Sequence, residues 1–185
     1  MFEFKESNLP GCFEIFPRVF EDQRGKFIKI YHQEIFREQG LNIAWQEEYY
    51  STSYQGVLRG LHFQFPPHDH AKIVYCTFGE VMDVVVDIRK GSPAYSKHSI
   101  INLNASKGNM VYIPRGMAHG FYTLSETATL HYIVETIYAP KHDTGILWNS
   151  AGIDWPVSNP VLSERDLKFS KLSRFESPFV FHEES

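Results

Sequence analysis

Turn residues break this sequence about every ten positions, and the stretches between the breaks are short, apolar and rich in β-branched and aromatic residues. Pro66-Pro67, Phe78-Gly79, Lys90-Gly91-Ser92-Pro93, Asn104-Ala105-Ser106 and Ser125-Glu126 separate strand candidates at 43–53, 57–64, 71–78, 80–88, 97–103, 109–113, 119–123 and 128–138. A chain divided in this way has no room for a long helix and must bury its strands by packing sheet on sheet, so an all-β sandwich or barrel is expected. Ahead of this run, 12–20 alternates weakly and Asp22-Gln23-Arg24-Gly25 marks a turn. Lys26 to Tyr31 then reads as a strand, and Gln33 to Gln39 as a short helix closed by Gly40. Beyond Ala139-Pro140 the periodicity fades into loops, the Asp154-Trp155-Pro156 corner and a short helix starting near Ser163. There Asp166 follows the serine by three residues, a weak capping-box pattern. One domain over 1–185 is expected, with N-terminal strands to about 45, a β core over about 46–140 and a C-terminal helical segment over about 141–185.

Bulk properties exclude several classes. Fifteen Phe and ten Tyr suit a β core and argue against disorder. A net charge of −4 supplies no basic stripe for nucleic acid, although a phosphorylated small ligand needs only local cations. Cys12 and Cys76 are too few for a disulfide framework, which favours a reducing cytoplasm. No apolar run approaches a membrane span and the amino terminus has no uninterrupted apolar core of a signal peptide, so a soluble, cytoplasmic protein is expected.

Chemistry-bearing residues cluster on the strand candidates. In Leu58-Arg59-Gly60-Leu61-His62 a fixed cation and an imidazole lie three residues apart, and strict alternation would send them to opposite faces. Gly60 tolerates a bulge that lets both reach one cavity; the alternative is a solvated arginine and an edge histidine. Lys72, Val74 and Cys76 share a face, and a lysine leading such a stripe ordinarily reaches water. Asp83, Val85 and Asp87 share another face; buried, an aspartate there needs a partner such as histidine or lysine, and the alternative is that this face simply meets solvent. Tyr132, Val134, Thr136 and Tyr138 are in phase on the last long strand, with His131 facing away; aromatics at this spacing ordinarily serve the core. A phenol, with a reference pKa near ~10, donates a proton only where the site stabilises its anion.

His68-Asp69-His70 and the run from Gly108 to His119 look like pieces of a metal-binding cupin. The glutamate such a site wants is missing, since Val74 and Tyr75 occupy its place, and Pro66-Pro67 puts His68 and His70 in a loop. Three nitrogen ligands can still hold zinc, so a metal-dependent enzyme using His68, His70 and His119 stands as an alternative. Nucleophile elbows, dinucleotide fingerprints and P-loops are absent from the sequence.

Asp22-Gln23-Arg24-Gly25, Gly56 to Gln64, Asp83 to Arg89 and Ile113 to Phe121 closely resemble the dTDP-4-dehydrorhamnose 3,5-epimerase family. Tyr132, Tyr138-Ala139-Pro140, Asp154-Trp155-Pro156 and Leu162 to Asp166 extend the match in order, over roughly 5–172. The resemblance implies a cupin-like jelly roll with short C-terminal helices, free of metal and cofactor, and a homodimer acting on nucleoside-diphosphate 4-keto-6-deoxy sugars. By motif match His62 is the base, Asp166 its orienting carboxylate, Tyr132 the proton donor and Lys72 the cation near the enolate oxygen. Arg24, Arg59 and His119 match positions that hold diphosphate and sugar, Tyr138 the residue that stacks on the base, and Lys168 and Asp143 further ligand contacts.

The departures concern nucleotide recognition. Lys29 stands where the family commonly has glutamate, Glu47 and Tyr49 replace glutamine and asparagine, and Asp143 is one methylene shorter than the usual glutamate. A dTDP sugar is therefore the default substrate, with CDP- or GDP-linked 4-keto sugars as alternatives, and inversion at C3 or C5 alone as a variant. A non-catalytic sugar-nucleotide binding module is the alternative of another class.

Overall fold

The computed structural model describes residues 1–41 and 44–182. In chain order the described elements are β1 (Phe2–Glu6), β2 (Phe13–Pro17), β3 (Val19–Asp22), β4 (Gly25–Ile28), α1 (Gln33–Glu38), β5 (Glu47–Tyr54), β6 (Leu58–Gln64), β7 (Lys72–Phe78) and β8 (Glu80–Asp87). They continue with β9 (His98–Asn104), β10 (Met110–Ile113), β11 (Met117–Thr123), β12 (Thr127–Val134) and β13 (Asp143–Gly145), then single 3₁₀ turns at Asp166–Lys168 and Leu172–Arg174. Two antiparallel sheets carry the fold, one ordered β1-β2-β10-β7-β12-β5 and the other β13-β6-β11-β8-β9. From β5 onward the chain passes back and forth between them, which is the cupin-like jelly-roll pattern. The turn-bounded segments of the sequence become strands because no other backbone partner is available to them.

The sheets are covered on both faces at their centres, so β8 is buried from Val81 to Asp87, while the edge strands β5 and β9 keep exposed residues. The interior between the sheets holds Val74, Val81, Val85, Val111, Phe121 and Leu130. Outside the five-stranded sheet, Leu61, Phe63, Val84, Val86 and Tyr122 pack beneath Trp148, Leu172 and Phe179 of the C-terminal segment. Outside the six-stranded sheet, Ile15, Ile73, Tyr75 and Met110 pack with Phe36 of α1. Phe36 meets the rings of Phe2 and Phe4 edge-on at 5.3 Å each.

Several expectations are revised. The strand expected from 43 begins at Glu47, and Ile43 itself lies outside the described residues. The strand expected to reach Tyr31 ends at Ile28, and the one expected to reach Tyr138 ends at Val134. In the second case side chains capture the backbone donors: Tyr138 N–H goes to the Glu47 carboxylate at 2.6 Å and Ala139 N–H to Gln64 Oε1 at 2.7 Å. The helix expected near Ser163 is only a 3₁₀ turn, although Ser163 Oγ does accept the Asp166 N–H at 3.1 Å, as the capping pattern implies. Strands β1 and β13 were not anticipated.

The bulge allowed by Gly60 is present. In the β6–β11 ladder His62 pairs with His119 and Arg59 with Phe121, so β6 spends three steps where β11 spends two. Gly60 has φ +132°, and a Cβ there would lie 2.5 Å from Gly120 Cα and 2.9 Å from the His119 carbonyl oxygen. Gly60→Ala is expected to cost about 3 kcal/mol in urea unfolding, combining steric overlap with a strained φ. Gly25→Ala, at φ +116° with open space around it, is expected to cost only about 1 kcal/mol.

Candidate active site

The interior opens at one end into two adjoining cavities of about 290 and 210 Å³ that share Tyr49, His62 and Lys72. Strands of both sheets meet there. Cross-strand pairs Tyr132↔Tyr49, Tyr132↔Val74 and Val134↔Lys72 align β5, β12 and β7, while His119↔His62 and His119↔Val85 align β11, β6 and β8. The bulge in β6 brings Arg59 and His62 into the smaller cavity together, beside Lys72, His119 and Tyr132.

His62 Nε2 lies 2.9 Å from Asp166 Oδ1, and the other carboxylate oxygen accepts the Gly60 N–H at 3.1 Å. Burial alone would raise the Asp166 carboxyl. The bond and charge of His62, with donors from Gly60 and Ser163, outweigh it and hold the pKa below the ordinary value. An ionised Asp166 fixes a proton on Nε2 and leaves Nδ1 of His62 as the basic nitrogen. The edge of Phe169, with ring centroids 5.7 Å apart, limits the swing of the imidazole.

Tyr132 is buried, its hydroxyl 3.4 Å from Ser51 Oγ and its ring stacked on Tyr49 at 4.7 Å and 13°. Burial raises its pKa strongly against the lowering effects of Ser51 and Arg59, so the phenol keeps its proton. Lys72 is buried rather than reaching water. Desolvation lowers its pKa from 10.5 to about 8 against the opposing charges of Asp83 and Asp143. Asp83 has the histidine partner that its burial demands: His119 Nε2 lies 2.7 Å from Oδ2. Burial lowers the His119 pKa despite that carboxylate. Arg59 Nε donates to Ser53 Oγ at 2.9 Å.

The larger cavity extends from His62 and Lys72 towards Glu47, Tyr138 and Asp143. Asp143 pairs with Arg165 at 2.7 Å. Gln64, His70 and Thr136 also line this half and form one polar network. Sequence reasoning assigned no ligand-facing role to Ser51, Gln64 or Thr136. Ser51 was within reach, because it is in phase with Glu47 and Tyr49 on β5.

Three expected site residues lie elsewhere. Arg24 sits at the exposed tip of the β3–β4 hairpin, paired with Asp22 at 2.6 Å, and Lys29 follows the same hairpin; neither lines the two cavities. Lys168 is exposed and lies 3.7 Å from Glu164. The histidines considered for a metal are spread apart in their bonding: His119 is held by Asp83, His70 by Thr136, and His68 lies against the His142 ring at 4.5 Å. Among the described residues no three His, Cys, Asp or Glu side chains are grouped to hold a metal ion. No helix among them is long and apolar enough to cross a membrane.

The sequence profile of the dTDP-4-dehydrorhamnose 3,5-epimerase family matches residues 6–174. The dTDP-4-dehydrorhamnose 3,5-epimerase of Shigella flexneri is 41% identical over 169 residues, covering 90% of this chain and 93% of that protein. A dTDP-4-dehydrorhamnose 3-epimerase of Streptomyces niveus is 39% identical, covering 85% of this chain and 78% of its own length. The crystal structure of a dTDP-6-deoxy-D-glucose-3,5-epimerase from Legionella pneumophila in complex with dTDP-4-keto-L-rhamnose aligns with a TM-score of 0.93 at 30% identity, over 98% of this chain and 100% of that one. Fold, motif order and sequence agree over nearly the whole length, and the chain belongs to the dTDP-4-dehydrorhamnose 3,5-epimerase family.

Proposed function

We propose that this isomerase inverts C3 and C5 of a nucleoside-diphosphate 4-keto-6-deoxyhexose, dTDP-linked by default, through proton transfer between His62 and Tyr132. The observation that carries the reading is that a carboxylate-held imidazole and a buried, protonated phenol line one cavity with Lys72. The C4 carbonyl acidifies the neighbouring C–H bonds. Nδ1 of His62 removes a proton, and the electron pair moves into the carbonyl to give an enolate. The Lys72 ammonium stabilises the developing oxyanion in a desolvated site, where such a charge acts most strongly. Tyr132 returns a proton to the opposite face as the carbonyl re-forms, and Arg59 steadies its phenolate. Solvent exchange then resets both groups, so the chemistry itself calls for no redox cofactor.

Arg59 and His119 line the small cavity with the reacting groups and suit the diphosphate and sugar; Arg59 offers a planar, forked donor set. Tyr49, Glu47, Tyr138 and Asp143 suit the nucleoside end. A homodimer in the cytoplasm, with the entire chain acting as one domain, belongs to the same proposal. Phe20 and Phe27 stand exposed on the β3–β4 hairpin with centroids 6.3 Å apart. Covering them with a second copy gives Arg24 and Lys29 a route to a neighbouring cleft, and Lys168 then serves at its rim.

In deuterated water, proton NMR of the dTDP 4-keto sugar is expected to show label entering C3 and C5. His62→Asn and Tyr132→Phe should each reduce turnover at least ~100-fold. Undiminished exchange by His62→Asn refutes the assignment, and label at one carbon alone shows single-centre inversion. Because Lys72 loses its proton as pH rises through about 8, kcat/KM is expected to fall on the alkaline side near that value, and Lys72→Met should remove this limb. Sedimentation is expected to give a dimer; a catalytically active monomer overturns the arrangement drawn for Arg24.

A further inference from the structure

The polar network behind the larger cavity fixes the tautomer of a histidine that the reaction above does not use. Ala139 N–H donates to Gln64 Oε1 at 2.7 Å, which orients the amide and makes Gln64 Nε2 the donor on its other side. That nitrogen donates to the His68 carbonyl at 2.8 Å. The Thr136 hydroxyl has a single hydrogen, and it goes to the same carbonyl at 2.9 Å. Thr136 Oγ1 nevertheless lies 2.8 Å from His70 Nδ1. A hydrogen bond that short needs a proton, and Thr136 has already committed its own. With the hydroxyl hydrogen on the carbonyl, that proton sits on Nδ1 of His70, and Gln64 Nε2, 3.3 Å from Nδ1 and 3.4 Å from Thr136 Oγ1, turns its second hydrogen to the hydroxyl oxygen rather than to the ring.

With Nδ1 protonated and the ring neutral, Nε2 of His70 is an unprotonated acceptor. No partner for it exists among the described residues, and the half-buried ring lines the same cavity wall as Lys72 and His62. Burial and the charges of Lys72 and Arg115 push the His70 pKa down to about 3, so the acceptor persists across the working pH range. Resting on the epimerase reading above, we propose that His70 is a substrate-binding residue whose Nε2 accepts a hydrogen bond from a hydroxyl of the hexose. The larger cavity also holds the residues assigned to the nucleoside end, but the ring stands on the wall that carries Lys72, two residues along the chain, and His62, so the proposal sets the sugar rather than the base against it. A nitrogen that can only accept selects for a ligand that donates, which favours a free hydroxyl over an ether or a deoxy carbon there.

Two substitutions separate this role from a structural one. The amide of asparagine overlays the Nδ1 side of a histidine ring, so His70→Asn keeps a donor to Thr136 and removes the acceptor. The amide of glutamine overlays the Nε2 side, so His70→Gln keeps an acceptor and disturbs the network. Calorimetric Kd values would be measured for each folded variant with dTDP, and with the inert ligands dTDP-, CDP- and GDP-glucose. His70→Asn is expected to weaken binding of the accepted nucleotide–glucose about tenfold while leaving the nucleoside diphosphate alone unchanged. His70→Gln is expected to stay within about threefold of wild type. Equal binding by all three proteins, or loss confined to His70→Gln, overturns the proposal. A failed epimerase reading shows itself separately, as absence of deuterium exchange by the wild type, and the Kd comparison still decides His70.

Discussion

The extra residue that β6 carries between Arg59 and His62 determines which side chains face the interior. In a regular strand these two alternate, and one of them would lie under the C-terminal segment among Leu61, Phe63 and Trp148. The bulge restores a common direction while keeping Leu58, Leu61 and Phe63 in the outer core. It is possible because two glycines, Gly60 and Gly120, let the backbones of β6 and β11 approach more closely than any side chain would permit. Guanidinium and imidazole thus reach one cavity with no loss of packing on the other face.

Electrostatics in the cleft follow from putting several polar groups where water is scarce. Lys72 and Asp83 are both buried, and the carboxylate raises the lysine against desolvation without forming a direct ion pair with it. Asp83 Oδ1 has no hydrogen-bond partner, so its charge is answered by His119 on one oxygen and by the field of Lys72. Such an arrangement holds an ammonium within reach of losing its proton near neutral pH. Asp166 follows the opposite logic, with several donors aimed at it and an unambiguous negative charge.

Much of the architecture was legible because turn residues and β-rich segments follow from elementary backbone preferences. The bulge was legible too, from one glycine between two functional residues. The end of β12 was not. Alternation extends through Thr136 and Tyr138 in the sequence, but Glu47 and Gln64 draw the backbone away from the sheet, and that depends on side chains distant in the chain. Strand β1 shows plain alternation in Phe2-Glu3-Phe4-Lys5-Glu6, yet its meaning depends on having α1 and β2 to pack against. Within the site, the cost of an unpaired buried carboxylate pointed to a histidine or lysine partner for Asp83 beside the alternative of a solvent-facing strand, and the partner is His119. The motif match supplied Asp166, whose strand partner lies more than a hundred positions away. Arg24, Lys29 and Lys168 were read as family positions, but a motif match does not say where a side chain lies in space, and these three stand away from the two cavities.

The carboxylate that holds His62 arrives on a single 3₁₀ turn in a segment without sheet structure of its own. That segment is tied to the barrel by isolated bridges at Val161, Ser170 and Val180, and by the apolar contacts of Trp148, Leu172 and Phe179. The tail therefore works as a strap: hydrophobic anchorage on the outer wall positions the carboxylate that holds an imidazole on the inner one. Slackening an anchor as remote as Phe179 would register at the basic nitrogen while every strand stayed in register.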